Sequence, residues 1–176
     1  MQALPSAAAA IDVATIRRAL NDVLDPEMPI GIGDLGMIDS VEVEHGRARV
    51  TLLPTFTGCP AVEIVRSGVQ ARVRALGFTD VDVTWTFAHA WTPDRVSPAG
   101  VEALRAHGIS PGARRTSESA TTARSCPYCG SADVQRVSAF GGSLCRATYR
   151  CSTCRDIFES LKPSGIDVAS GVISLL

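Results

Sequence analysis

The sequence predicts a two-layer α/β domain with the element order helix, strand, strand, helix, strand, followed by a small second β domain. Two observations lead to this fold class. Apolar residues recur at helical and then at strand intervals over residues 11–88, and two C-x-x-C pairs lie near the end of the 176-residue chain. The remaining segments are predicted as a connecting segment with a short helix at 89–113, a linker at 114–125, the cysteine-rich domain at 126–163 and a C-terminal tail at 164–176.

The first helix is predicted from apolar residues spaced three and four apart, which are Val13, Ile16, Leu20 and Val23. Asp12 is a suitable N-cap residue, and Pro26 and Pro29 prevent the helix from continuing. Two strands follow in "MIDSVEVEHGRARVTLLP", because apolar residues alternate with polar ones on both sides of His45-Gly46. That dipeptide supplies the tight turn of a hairpin.

The second helix is predicted from one apolar face, formed by Val62, Val65, Val69, Val73 and Leu76, with Gly77 as its C-terminal stop. The alternating segment "VDVTWTF" is the third strand. Because a helix lies between the second and third strands, it can make the crossover that places them side by side. In the connecting segment, Pro98 to His107 form a short helix with Gly108 beyond its end. The polar stretch "RRTSESATTARS" has no periodicity and is predicted as the linker.

Composition limits the class of protein. The chain has 45% hydrophobic and 20% charged residues, which are globular values, and its net charge of -1 argues against a protein built to coat nucleic acid. It contains no apolar run long enough for a membrane span. The start, "MQALPSAAAAID", lacks the basic and apolar regions of a secretion signal, so we expect a cytoplasmic protein with reduced cysteines.

The cysteine-rich domain has the ligand spacing of a zinc ribbon. Its two pairs are Cys126 with Cys129 and Cys151 with Cys154. The residues between the pairs predict a β-hairpin turning at Gly141-Gly142, and "IFESLKP" predicts a third strand. Four thiolates would complete the coordination of a structural zinc ion, which would stabilise a domain with little core of its own. Disulfides, free thiols and an iron–sulfur cluster on the same ligands are the alternatives.

Two further cysteines lie outside these pairs. Cys145, on the second predicted ribbon strand, is either a packed core residue or a fifth sulfur that exchanges with the ribbon ligands or holds a transient metal. Cys59 precedes Pro60, which suits the first position of the second helix, so Cys59 is predicted as the N-cap. A thiol there would have a lowered pKa and be reactive. The alternative is a small, half-buried cap residue.

These segments carry a family resemblance. "DPEMPIGIGDLGMI" and "TFTGCP" resemble the SufT-like iron–sulfur assembly domain. Together with "HAWTPDRVSPAGVEALRAHGISPG" and "FGGSLCRATYRCSTC", they resemble the PaaD family of accessory subunits of phenylacetyl-CoA epoxidase in aerobic phenylacetate degradation. The similarity runs from about Val13 to Pro163, whereas the final "SGIDVASGVISLL" extends past the usual family end and the first loop has a glycine-rich middle.

The resemblance implies a maturation role without catalysis of its own. Cys59 would be the functional thiol and a transient ligand for iron or an iron–sulfur cluster. Its neighbours would shape the loop and the backbone around it, namely Asp25, Pro26, Glu27, Asp34, Gly36, Thr55, Thr57 and Gly58. The implied partners are the epoxidase subunits, its iron–sulfur reductase above all, and the iron–sulfur assembly machinery, with no membrane or nucleic acid.

Three alternative functions are compatible with the residues. The ribbon cysteines could hold a redox cluster in an electron-transfer subunit, or the ribbon could bind nucleic acid, although its aromatic residues are few. Cys59 could also be a catalytic nucleophile with His89 as its base, but no oxyanion or cofactor motif accompanies it.

Overall fold

The first half of the chain is a three-stranded sheet covered by helices. The structure is a computed structural model that describes residues 11–116 and 119–162. Its first domain contains, in chain order, α1 (Val13–Ala19), β1 (Leu24–Asp25), β2 (Met28–Gly31), β3 (Ile38–Glu44), β4 (Arg47–Leu52), α2 (Val62–Ala75) and β5 (Asp80–Trp85). The predicted order of helix, strand, strand, helix, strand is confirmed. The short hairpin β1–β2 was not predicted and lies within the expected first loop.

The main sheet has the strand order β3-β4-β5, with β3 and β4 antiparallel and β4 and β5 parallel. His45 and Gly46 both have positive φ angles, as a two-residue hairpin turn requires. The crossover helix α2 buries Val65, Val69 and Val73 in the core. Asp12 accepts a hydrogen bond from the Thr15 backbone N–H at 2.7 Å, so the predicted N-cap of α1 is confirmed.

The second half is a four-stranded sheet. After α3 (Pro98–Ala106) come β6 (Ile109–Ser110), β7 (Arg114–Thr116), β8 (Ser119–Ala123), β9 (Val134–Ser138), β10 (Arg146–Cys151) and β11 (Ile157–Leu161). The order of this sheet is β6-β11-β10-β9, so the three predicted ribbon strands are confirmed. The short β6 of the connecting segment pairs in parallel with β11, which joins that segment directly to the ribbon.

The predicted linker contains two short strands that the sequence did not indicate. Within residues 114–125, β7 and β8 pair with each other in antiparallel orientation. Polar, small residues carry no apolar alternation, so hydrogen bonding between their backbones left no signal in the sequence. The domain boundaries as such stay a prediction, and the tail at 164–176 lies outside the described residues. Within the described ranges, none of the helices is long and apolar enough to cross a bilayer.

Candidate functional site

The four ribbon cysteines converge on one point. Their sulfur atoms all lie within 4.8 Å of one another. The Sγ atoms of Cys126 and Cys154 are 3.7 Å apart, and those of Cys129 and Cys151 are 3.5 Å apart. A tetrahedral ion with metal–sulfur bonds of about 2.3 Å separates its sulfurs by about 3.8 Å. The side chains therefore have the spacing that a single tetrahedral ion requires.

Both cysteine pairs lie on turns with the same backbone conformation. The residue after each second cysteine, Gly130 or Arg155, has a positive φ angle. This conformation turns the chain back and brings backbone N–H groups towards the sulfurs. Hydrogen bonds from the N–H groups of Cys154 and Thr153 lower the pKa of Cys151 to about 6, against the effect of burial. The neighbouring thiols act in the opposite direction on Cys129 and Cys154, whose pKa values are raised, so the four sulfurs titrate as one interacting group.

Cys59 lies in the turn before α2 and not at the helix N-cap. The helix begins at Val62 and its N-cap residue is Ala61, so the predicted start at Pro60 is wrong by two residues. The backbone N–H of Cys59 donates to the Phe56 carbonyl at 3.1 Å and closes a separate turn. Pro60 is compatible with helix starts and turns alike, and tertiary packing of the turn decided between them.

The predicted lowering of the Cys59 pKa is also wrong. Burial of the half-exposed thiol raises its pKa, and the charges of Asp25, Glu27 and Cys145 raise it further. The hydrogen bond from the Ala61 N–H to the sulfur acts in the opposite direction but is the smaller effect. The raised pKa favours the protonated form of the Cys59 thiol at neutral pH.

An open groove of about 680 Å³ runs past Cys59. Its walls come from the turn, the first turns of α2 and the end of β5, and they consist of Thr57, Gly58, Cys59, Val62, Arg66, Thr84, Trp85 and Phe87. Phe87 is 60% exposed and adds an apolar surface to the rim of the groove. The groove gives a partner molecule direct access to the thiol.

The acids of the first loop fall into two groups. Asp25 is buried, and its Oδ1 accepts from the backbone N–H groups of Glu27 and Met28 at 2.8 and 3.0 Å, which shapes the β1–β2 turn around exposed Pro26. Burial raises the Asp25 pKa. Asp25 and Glu27 lie near enough to Cys59 for their charges to affect its thiol.

Asp34 and Gly36 instead bind the connecting segment. Asp34 Oδ2 accepts from the Asn21 amide at 2.6 Å, and Asp34 Oδ1 accepts from the Ser97 hydroxyl at 2.5 Å. The Gly36 carbonyl accepts from Arg95 Nε at 2.8 Å. These contacts anchor the loop to the start of α3. The described contacts of both residues are architectural, and none joins them to Cys59.

The residues before Cys59 set its backbone. Thr55 is buried, while Thr57 and Gly58 are exposed and line the groove. A Cβ atom at Gly58 would lie 3.1 Å from the Phe56 ring, so a side chain there would displace that ring. Phe56 in turn lies beneath the ammonium group of Lys162 at 5.5 Å, a contact between the turn and the end of the ribbon.

Cys145 is buried at 3% exposure and stands apart from the four ribbon cysteines. Its Sγ lies 3.1 Å from the Ser143 hydroxyl. Burial raises its pKa, and the charges of Glu27 and Asp25 contribute. No sequence pattern indicated that Cys145 lies near the Cys59 turn, because the two residues come from different predicted domains.

His89, the candidate general base, is engaged elsewhere: its Nε2 lies 3.0 Å from Asp39 Oδ1. The groove residues Arg66, Trp85 and Phe87 were not among the predicted site residues. A weak signal existed for Phe87, since the alternating pattern of β5 continues to it beyond the last paired residue, Trp85.

Comparison with known proteins agrees with this architecture. The family described as iron–sulfur cluster assembly protein matches residues 13–85, and the PaaD zinc beta ribbon domain matches residues 110–162. An Escherichia coli (strain K12) protein, provisionally named as one of the subunits of 1,2-phenylacetyl-CoA epoxidase, is 36% identical over 145 residues, which cover 81% of this chain and 88% of that protein.

Two further similarities each cover about half of the chain. A Porphyromonas gingivalis protein named Fe-S protein maturation auxiliary factor is 36% identical over 84 residues, 47% of this chain and 80% of its own. The crystal structure of a domain of unknown function, DUF59, from Bacillus anthracis has a TM-score of 0.49 at 24% identity and covers 52% of this chain and 89% of its own. The similarity over 81% of the chain and the two matched domains together show that this chain belongs to the PaaD-like family of iron–sulfur assembly and maturation auxiliary factors.

Proposed function

We propose that this protein matures or delivers an iron–sulfur cluster for a 1,2-phenylacetyl-CoA epoxidase system, and that Cys59 is the thiol that handles the iron. The observation that carries the proposal is the position of Cys59 in an open groove of the domain that matches iron–sulfur assembly proteins. The similarity to the Escherichia coli protein supports the epoxidase as the client system. We propose the iron–sulfur reductase of that system as the direct partner.

The environment of Cys59 suits a temporary ligand. A protonated thiol does not hold a cation by charge alone, and an arriving iron atom must displace the proton. Nearby Asp25 and Glu27 raise the thiol pKa, yet their negative charges attract a cation to the same place. Because proton release opposes metal binding, the affinity at neutral pH is lower than that of a preformed thiolate, which favours release of the cargo.

We assign the ribbon a structural zinc ion. Its sulfur pairs at 3.5 and 3.7 Å match a single ion, whereas an iron–sulfur cluster distributes four thiolates over several iron atoms and so holds them farther apart. Four thiolates leave no coordination position for a substrate. This arrangement favours a stabilising role over electron transfer.

We further propose that the protein is an accessory subunit of the cytoplasm without catalytic activity of its own. A nucleophilic thiol needs a base within hydrogen-bonding reach. His89 instead pairs with Asp39 at 3.0 Å, and burial keeps the Cys59 thiol protonated. The Cys59 thiol is therefore better suited to binding and releasing iron or an iron–sulfur cluster than to nucleophilic attack on a carbonyl group.

The test is Cys59→Ser in cells that depend on this protein for growth on phenylacetate. We expect epoxidase activity and the iron content of its reductase to fall, while the variant keeps its zinc and its thermal stability. Ser67→Ala, on the exposed face of α2, is the control and should behave like wild type. Normal reductase iron and normal growth with Cys59→Ser would refute the proposal.

A further inference from the structure

Lys162 is the only lysine in a chain that has sixteen arginines. It lies directly after β11, at the end of the ribbon. Its ammonium group donates to the Ala139 carbonyl at 3.2 Å. The same group lies 4.8 Å from the centre of the Phe140 ring and 5.5 Å from the centre of the Phe56 ring. The cation therefore contacts one aromatic residue of the ribbon and one of the turn that carries Cys59.

The backbone of Lys162 is anchored at the junction of the two domains. Its N–H donates to the Cys145 carbonyl at 2.9 Å. Cys145 and Leu161 are both buried in the large core cluster, which contains first-domain residues such as Ile32 and Leu53. The ribbon has a separate small core, formed by Cys126, Ala147, Tyr149, Cys151 and Phe158. The side chain of Lys162 thus extends from a fixed point to the Phe56 ring.

Phe56 links this contact to Cys59. The Phe56 carbonyl accepts a hydrogen bond from the Cys59 N–H at 3.1 Å. The Phe56 ring packs against Gly58, where a Cβ atom would lie only 3.1 Å from it. Phe56 therefore fixes the Cys59 backbone in two ways, through a hydrogen bond to Cys59 itself and through a packing contact with the residue before it.

The contact between the cation and the rings is partly shielded from water. Burial lowers the pKa of Lys162, because the ammonium group has lost part of its hydration. A cation attracts an aromatic ring more strongly at such a site than at an exposed one. Phe140 is 60% exposed, whereas Phe56 packs against the core of the first domain. Loss of the ammonium group would therefore weaken a contact that bears directly on the Cys59 turn.

We propose that Lys162 is a positioning residue for Cys59, and that the ribbon holds the Cys59 turn in place through the contact of the Lys162 ammonium group with the Phe56 ring. The ribbon then contributes to the site in the first domain, besides holding its own metal ion. Without this cation, the Phe56 ring would be less restrained, and the hydrogen bond from the Cys59 N–H would open more often. The inference rests on the proposed function only for the importance of Cys59.

The experiment uses the full chain loaded with zinc under anaerobic conditions, and it follows hydrogen exchange of the Cys59 amide by NMR. Lys162→Met keeps most of the apolar stem but removes the charge. Exchange in this variant should be at least about fivefold faster, the factor that corresponds to about 1 kcal/mol of lost cation–π attraction. The Cys59 thiol should also be alkylated faster at pH 7, because it gains contact with water and its pKa falls. Lys162→Arg keeps a cation and should restore both rates.

The single lysine also provides a spectroscopic signature. Protein grown with ¹³C-labelled lysine has one ε-carbon signal, and the two rings should shift the attached protons upfield. Phe56→Leu should move this signal towards the position of an unstructured lysine. It should also accelerate exchange of the Cys59 amide as Lys162→Met does, because both variants remove the same contact.

Arg124→Met is the matched control. Arg124 lies over the Tyr149 ring at 4.2 Å, so this variant removes a cation–π contact within the ribbon that does not involve the Cys59 turn. It should leave exchange and alkylation of Cys59 as in wild type. Wild-type rates in Lys162→Met, or equal acceleration in Lys162→Arg or Arg124→Met, would overturn the inference.

The results also separate this inference from the proposed function. If Lys162→Met accelerates exchange and alkylation while Cys59→Ser cells keep a fully loaded reductase, the positioning role is correct and the proposed function is wrong. If Cys59→Ser abolishes iron delivery while Lys162→Met leaves both Cys59 rates unchanged, the positioning role is wrong and the proposed function stands.

Discussion

Replacing Gly36 by alanine should destabilise the first domain by about 2–5 kcal/mol. Gly36 has a φ angle of +70°, where an alanine costs about 1–2 kcal/mol. A Cβ atom there would also lie against the Arg95 carbonyl oxygen and 2.5 Å from the Arg95 Cβ, well inside ordinary contact. Displacing that backbone costs about 1–3 kcal/mol more, as other overpacking substitutions do.

The same chain offers a matched control. Gly46 has a φ angle of +79°, but nothing lies within 4 Å of a Cβ atom built on it. Gly46→Ala should therefore cost only the conformational part, about 1–2 kcal/mol. The difference between the two variants isolates the contact between the first loop and the connecting segment.

Urea unfolding followed by tryptophan fluorescence measures this difference. Trp91 is buried and donates from Nε1 to the Leu35 carbonyl at 2.8 Å, beside Gly36, so it reports on the loop itself. Both variants should keep their full zinc content, because the substitutions lie outside the ribbon. Equal losses of stability for Gly36→Ala and Gly46→Ala would show that the Arg95 contact does not hold this loop.

Two further predictions concern the thiols. In zinc-loaded protein, Cys59 should be alkylated more slowly at pH 7 than a free cysteine, because its pKa is raised above the ordinary value of 9.0. The alkylation rate should rise with pH until the thiol is fully deprotonated, and Glu27→Gln should increase the rate by lowering the pKa. Mass spectrometry of the labelled peptide measures the rate, and an unchanged rate in Glu27→Gln would contradict the assigned electrostatics. Cys126→Ser should lose the ribbon metal, and the ribbon should no longer unfold cooperatively, since its small core depends on the ion. The first domain should still unfold cooperatively. Calorimetry and metal analysis test this prediction, and a variant with full metal content would argue against a four-cysteine site.

Local patterns predicted the main helices and strands and the clustering of the four ribbon cysteines. The Asp12 cap of α1 and the glycine stops after α2 and α3 depend on residues within one turn of a helix end, so the sequence displays them directly. The two C-x-x-C pairs are equally local, because each pair needs only its own tight turn. Their convergence to within 4.8 Å follows from the hairpin that the intervening strands predict.

The environment of Cys59 could not be predicted in the same way. Its pKa depends on burial and on charges contributed by residues as distant in the chain as Asp25 and Cys145. The local pattern around Pro60 suggested a helix start and a reactive thiolate, and the packed structure reversed both conclusions. Desolvation is a property of the whole fold, and it outweighed the nearby backbone hydrogen bond.

Periodicity, caps and cysteine spacing are local features, and they were enough to specify an α/β domain followed by a metal-binding ribbon. The surroundings of Cys59 emerged only from the packing of distant segments. That packing tied Asp34 and Gly36 to Ser97 and Arg95, some sixty residues later in the chain, and it brought Cys145 to the junction of the two domains. Burial and charge act through space, between residues that no local pattern connects.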